Sequence, residues 1–181
     1  TPLSHEWLQR YGEMGFLGVN VAQDLGGLGL GNLEALIVLE EFAKVSPAVA
    51  FPIFESSVGP IRAVEHFAGR DLVKRIVPKV CKGEMVVAVA MSEPDAGSAL
   101  TDLKTKADIK GDKIVINGQK RWCSGGGHAD AYVVYARMSD APGARGIGAV
   151  LIEKGAPGLS FGEREQLMGF RGIPSADIFF D

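Results

Sequence analysis

Cysteine is nearly absent from this sequence: Cys81 and Cys123 are the only two in 181 residues, and no C-x-x-C occurs. That excludes a disulfide scaffold and a zinc ribbon, and leaves two reduced thiols of a cytoplasmic protein as the plain reading. Histidine is equally sparse. His5, His66 and His128 are scattered, with no H-x-x-x-H or H-E-x-x-H, so no metal site is expected. An excess of positive charge is also lacking. With 19 Lys+Arg against 22 Asp+Glu, the net charge of -3 offers nucleic acid no basic footprint. The longest apolar run, Met85 to Met91, is strand-sized and falls far short of the roughly 20 residues of a membrane span. No charged start, apolar stretch and small-residue cleavage site follow one another, so no signal peptide is expected. A disordered chain is excluded too, because 46% of the residues are hydrophobic and only 23% charged.

What the sequence has in excess is glycine. Its 24 glycines fall in clusters without a G-X-Y period, so they mark turns rather than a collagen helix. They also help to divide the chain, whose apolar period changes from about 3.6 to 2 near Gly83-Glu84. Before that point Leu3, Trp7, Leu8 and Tyr11 form one helical stripe with Ser4 as its cap. Asn32 caps a second helix that buries Leu36, Leu39 and Ala43. A third segment runs from about Ala48 to Phe67 with Pro52 and Pro60 as starts or kinks, and Asp71 caps a fourth carrying Leu72, Ile76, Val77 and Val80. After it come strands: Met85–Met91, Leu103–Ile109, Ile114–Ile116, Gln119–Ser124, Ala131–Arg137, Ile147–Glu153, Gly158–Phe161 and Ala176–Phe180. Asn117-Gly118 reads as a tight turn between two of them. The expected fold class is α+β, a helical domain over 1–84 followed by an antiparallel β-barrel over 85–181.

Three segments could carry chemistry. Gly26-Gly27-Leu28-Gly29-Leu30-Gly31 precedes a helix as a phosphate loop does. It follows no clear strand and lacks a closing G-K-[ST], which favours a structural loop with close backbone approach. Ser92-Glu93-Pro94-Asp95-Ala96-Gly97-Ser98 follows a buried strand. Gly97 and Ser98 there offer amides and a hydroxyl to a phosphate, but a plain turn reads equally well, and Glu93 is taken as a turn residue. In Lys120-Arg121-Trp122-Cys123-Ser124-Gly125-Gly126-Gly127, Trp122 beside a triple glycine is either a barrel cap or a stacking surface for a flat heteroaromatic ring, whose polar edge Ser124 could meet.

Taken together with their spacing, these segments resemble the acyl-CoA dehydrogenase family. The resemblance runs from Gly15-Phe16-Leu17-Gly18-Val19 and Asp24-Leu25-Gly26-Gly27-Leu28-Gly29 through Met91 to Ser98. It continues with Lys104-Thr105-Lys106-Ala107, Ile116 to Lys120 and Trp122-Cys123-Ser124, and ends at Met168-Gly169-Phe170-Arg171-Gly172 and Phe179-Phe180-Asp181. It implies FAD as cofactor and an acyl-CoA substrate, oxidised between Cα and Cβ. Electron-transferring flavoprotein is the implied acceptor, in a homodimer or homotetramer of the cytoplasm or mitochondrial matrix.

The resemblance also implies roles for residues. Val89, Met91, Ser92, Gly97, Ser98, Trp122, Cys123 and Ser124 would be the flavin segments. Ser98 would also lie near the CoA arm, Trp122 beside the isoalloxazine, and Ser124 at flavin N5. Phe51, Phe54 and Glu55 could line the acyl pocket. Two departures from the family pattern stand out: Ala99 replaces the usual Asp after Gly-Ser, and Cys123 replaces Ile or Val. No residue here is expected to be the catalytic base, which the family carries in a C-terminal helical bundle beyond this sequence. The same resemblance allows two other readings, oxygen chemistry or elimination from a thioester without net oxidation on the same barrel, and a non-catalytic partner subunit.

Overall fold

The computed structural model describes residues 2–181. They form two compact units, residues 2–87 with Gln166–Ile173, and Ala88–Glu165 with Pro174–Asp181.

The first unit is helical: α1 (His5–Glu13), α2 (Asn32–Val45), α3 (Pro47–Ser57), α4 (Pro60–Phe67) and α5 (Arg70–Cys81). Ser4 caps α1 as the sequence indicates, its hydroxyl accepting from the Trp7 amide. The Trp7 ring itself lies half in the solvent, and the buried stripe of α1 is Leu8 and Tyr11. The cap of α2 is Gly31 rather than Asn32, and Glu34 reaches back to accept its amide. Asn32 already lies in the helix and accepts from Asn20 instead. The Ala48–Phe67 segment is two helices, and Pro60 begins the second where its missing N–H costs nothing. Gly69, not Asp71, caps α5, and Asp71 sits in its first turn, where its charge suits the helix dipole.

The core of this unit contains Val19, Val21, Ile53, Ile61, Ile76 and Val77, all essentially without solvent contact. Each contributes roughly 1.5–3 kcal/mol of burial. The rings of Tyr11, Phe16 and Phe42 meet edge-on with centroids 4.9–6.4 Å apart. On α2 it is Ala35 that is buried, with Val38, Leu39 and Phe42 packed against the core, while Leu36 stays 54% exposed.

The glycine loop before α2 is structural. Its amides are spent on the chain: Gly26 donates to Gln23, Gly27 to Ala22, Leu28 to Gly18, Gly29 to Val21 and Leu30 to Val19. A Cβ on Gly27 would collide with the backbone of Val21 and Gly18. No amide of that run is left to cradle a phosphate.

The second unit is a β-sheet of β1 (Val87–Ala90), β2 (Lys106–Lys110), β3 (Lys113–Ser124), β4 (Ala131–Arg137), β5 (Ile147–Glu153), β6 (Leu159–Phe161) and β7 (Ser175–Phe180). The order is β1-β4-β2-β3-β7-β6, with β5 paired to β4. Pairing is antiparallel in β2–β3, β3–β7, β4–β5 and β6–β7, and a single parallel bridge joins Lys106 to Arg137. The sheet is an open, curled half-barrel. Ala131, Tyr132, Val133 and Val134 are buried in succession, so β4 is covered on both faces.

Asn117-Gly118 is not a turn. Asn117 pairs with Lys106 and Gly118 with Phe180 inside one unbroken 12-residue strand. Gly118 is glycine because its φ is 148° and a Cβ there would run into Thr105.

Candidate functional site

Three connections gather the candidate residues at one end of the sheet. The Arg121 amide donates to the Ser92 carbonyl at 2.8 Å, which ties the chain after β1 to β3. The Cys123 thiol donates to the Val89 carbonyl at 3.1 Å. Lys120 Nζ donates to the Met91 carbonyl at 3.0 Å. Val89, Met91, Ser92, Trp122, Cys123 and Ser124 are thereby held beside one another. Cys123 is buried and acts as a small apolar filler with a weak donor.

Trp122 sits in a β-bulge. Lys120 pairs with Ile178 and Cys123 with Ala176, so Arg121 and Trp122 together oppose the single residue Asp177. The extra residue puts Trp122 at φ 53°, a left-handed conformation that costs a β-strand residue on the order of 1–3 kcal/mol. Asp177 holds this geometry: one carboxylate oxygen accepts the Trp122 amide at 3.3 Å and the other the Gln119 side-chain amide at 2.9 Å. The bulge turns the side chain outward, and Trp122 is 59% exposed. A barrel cap would bury the ring, so this exposure favours the stacking surface of the two readings.

The Ser92–Ser98 loop is a tight hairpin. The Glu93 and Ala96 backbones exchange hydrogen bonds of 2.9 and 3.2 Å around Pro94-Asp95. Its far side is open. The amides of Gly97, Ser98 and Ala99 donate to no group among the described residues, and space around Gly97 is free where a side chain would stand. The hydroxyls of Ser92, Ser98 and Ser124 likewise have no partner among the described residues. Three amides, three hydroxyls and an exposed indole form a donor set suited to a phosphate and a flat heteroaromatic ring.

Glu93 is more than a turn residue, and this corrects the sequence reading. It is 5% exposed, and its carboxylate accepts from the Lys104 amide at 2.6 Å, the Thr105 amide at 2.9 Å and Lys120 Nζ at 2.8 Å. Lys120 is fully buried. Burial pushes the Glu93 carboxyl up, but the hydrogen bonds from Lys104, Lys120 and Thr105 outweigh it and hold the group below the usual carboxylate range. Burial lowers Lys120 against the pull of Glu93. The pair fastens the hairpin to β3 from beneath. Sequence inspection missed Glu93, Lys120 and Asp177 as anchors, because their partners lie 27 and 55 residues away.

In the helical unit, Phe51 and Phe54 stack with centroids 5.4 Å apart, and Phe170 meets Phe51 edge-on at 5.1 Å. With Leu39 and Ala43 they line an apolar groove of about 320 Å³. Glu55 faces away from that groove, into a cavity of about 20 Å³ with Leu8, Leu17 and Val80. Its carboxyl is buried, and desolvation raises it to about 8. The Cys81 thiol is raised to about 11 by burial and by the nearby Glu65, which leaves it unreactive. Among the described residues no cluster of His, Cys, Asp and Glu could hold a metal, and no helix is long and apolar enough to cross a membrane.

Comparison with known proteins identifies relatives over nearly the whole of this chain. Isovaleryl-CoA dehydrogenase of Pongo abelii is 35% identical over 97% of this chain, and 3-sulfinopropanoyl-CoA desulfinase of Advenella mimigardefordensis is 36% identical over 93%. The chain spans 42% of the length of either relative. A solved glutaryl-coenzyme A dehydrogenase–glutaryl-CoA complex superposes with a TM-score of 0.91 at 32% identity, covering 96% of this chain and 45% of that one. The profile of the acyl-CoA dehydrogenase N-terminal domain matches residues 2–84 and that of the middle domain residues 88–181, so the chain belongs to the acyl-CoA dehydrogenase family.

Proposed function

We propose that this chain supplies the helical domain, 1–84, and the flavin-binding domain, 85–181, of an FAD-dependent enzyme that dehydrogenates an acyl-CoA thioester between Cα and Cβ. The observation that carries the reading is the bulge at Trp122. It spends backbone energy to hold a large aromatic ring in solvent, next in sequence but one to Ser124 and on the residue after Arg121, whose amide is bonded to Ser92.

The residues present fit FAD. Trp122 would support the isoalloxazine ring, with the Ser92 and Ser124 hydroxyls and the backbone of Val89, Met91 and Cys123 at its polar edge. The free amides of Gly97 and Ser98 would take the pyrophosphate, and the Ser98 hydroxyl would also reach the CoA arm. When bound, FAD supplies a two-electron acceptor. The Ser124 hydroxyl would offer the ring a neutral hydrogen-bond donor, which favours a ring that takes on negative charge. The stacked Phe51 and Phe54, with Phe170, favour short, branched or ring-bearing acyl groups at the groove they line, and Glu55 closes a separate cavity. The base that removes the α proton is outside this chain's residues. Electron-transferring flavoprotein is the proposed acceptor, and a homodimer or homotetramer in the cytoplasm or mitochondrial matrix the proposed setting.

The equal similarity to a sulfinopropanoyl-CoA desulfinase supports a second reading, elimination from a thioester without net oxidation. Anaerobic mixing of the purified full-length protein with a panel of acyl-CoA thioesters separates the two. Dehydrogenation bleaches the visible flavin absorbance and yields an enoyl-CoA. Turnover of a β-substituted thioester with the flavin spectrum unchanged would establish elimination.

A further inference from the structure

Arg121 precedes Trp122 in the bulge and carries a charge that no carboxylate among the described residues neutralises. Its guanidinium lies over the Trp122 indole, 4.9 Å from the ring centroid. Its Nε is buried without a hydrogen-bond partner. Among the described residues no carboxylate pairs with it, and Asp177 across the bulge is engaged by Gln119 and the Trp122 amide. The indole quadrupole compensates part of the desolvation and leaves the full positive charge in place. A half-buried cation without a counter-ion favours any neighbour that becomes negative.

A flavin that takes up two electrons and one proton gains one net negative charge. Resting on the flavin reading above, we propose that Arg121 tunes the bound flavin: its unpaired guanidinium, positioned by Trp122, stabilises the reduced cofactor over the oxidised one and raises its reduction potential. The role is electrostatic, so a lysine retains most of it and an isosteric neutral chain loses it. Arg121 is then a tuning residue that acts across the indole, and neither removes nor delivers a proton.

Anaerobic spectroelectrochemical titration of the full-length holoprotein tests this, with wild type, Arg121→Met and Arg121→Lys compared. FAD affinity of the oxidised forms is measured in parallel from recovery of FAD fluorescence on release. Arg121→Met is expected to weaken the preference for reduced over oxidised flavin about tenfold, a fall of about 30 mV for a two-electron couple. Arg121→Lys is expected to stay within about threefold of wild type, and oxidised-state affinity to change by less than about threefold in both. FAD bound by Arg121→Met at an unchanged potential overturns this inference and leaves the flavin reading standing. An equal fall in Met and Lys variants overturns the electrostatic basis. A wild-type protein that binds no FAD overturns the flavin reading, and this inference with it.

Discussion

Removing the buried charge pair beneath the Ser92–Ser98 hairpin has a predictable cost. In Glu93→Gln the side chain keeps its shape but holds one acceptor oxygen instead of two. Glu93 now accepts from Thr105 N and Lys120 Nζ on one oxygen and from Lys104 N on the other. Whichever way the amide turns, its NH2 faces a buried donor, and at least one backbone N–H loses its partner, at about 1–3 kcal/mol. The Lys120 ammonium meanwhile loses the buried carboxylate it pairs with, and breaking such a pair from one side costs about 3–5 kcal/mol. These effects overlap, so Glu93→Gln should destabilise the sheet unit by about 3–5 kcal/mol. Lys120→Met should cost a similar amount, because it strands a buried carboxylate without its cation. The double variant removes both charges and should cost clearly less than the sum of the singles, with a coupling of about 2 kcal/mol or more.

Urea unfolding of the full-length protein, followed by circular dichroism, reads all three differences. The pH dependence provides an independent check. Glu93 is held below the usual carboxylate range in the folded state. Its stabilisation is therefore complete above the ordinary carboxylate pKa and is lost as pH falls through the lowered folded value. Lys120→Met should flatten that acid limb. A single variant that loses under about 1 kcal/mol, or strict additivity in the double, would refute the reasoning.

Glu55 has the opposite sign: raised to about 8, it makes the fold lose stability as pH climbs from about 4.5 to 8, by about 5 kcal/mol at most. Glu55→Gln should flatten that slope and be the more stable protein at pH 8, and a slope equal to wild type in thermal melts would count against it. Trp122→Ala should weaken FAD retention by about 1–3 kcal/mol in equilibrium dialysis, and an unchanged affinity rejects the stacking role. Ser124→Ala should slow substrate-driven flavin reduction in stopped flow about 10- to 100-fold while KM moves less. A lower melting temperature at an unchanged rate would reduce Ser124 to a turn residue.

What the sequence reveals here follows the range of each signal. The edges of β4 and β5 fall at Ala131, Arg137, Ile147 and Glu153 as read, because strand period and flanking turn residues are local. Ser4 and Pro60 are legible as helix starts for the same reason. Asn117-Gly118 shows where local signals fail. That pair favours a tight turn, but Gly118 is there to let Thr105 approach the backbone, a constraint set by a residue 13 positions earlier. The helix caps are Gly31 and Gly69 where the sequence points to Asn32 and Asp71, since a side-chain cap is visible in sequence and a bare backbone cap is not. On α2 the stripe was placed one step out, because Leu33, Leu36 and Ile37 are as apolar as the residues that face inward.

The candidate site divides along the same line. The residues proposed to face a ligand stand out in sequence one by one, because a tryptophan beside three glycines and a Gly-Ser pair after a buried strand are unusual locally. The residues that hold them were not visible. Glu93 reads as a turn residue, and nothing local in the sequence singles out Lys120 or Asp177. Their roles exist only once β3 is paired with β7 and the hairpin is folded onto β3. This explains why the bulge is stable. Asp177 satisfies the Trp122 amide that the extra residue pulls out of the ladder, and Lys120, one residue before the bulge, is pinned to Glu93 and Met91. With both flanks fixed, the strain at Trp122 cannot relax by sliding the register, and the indole is kept facing out of the sheet.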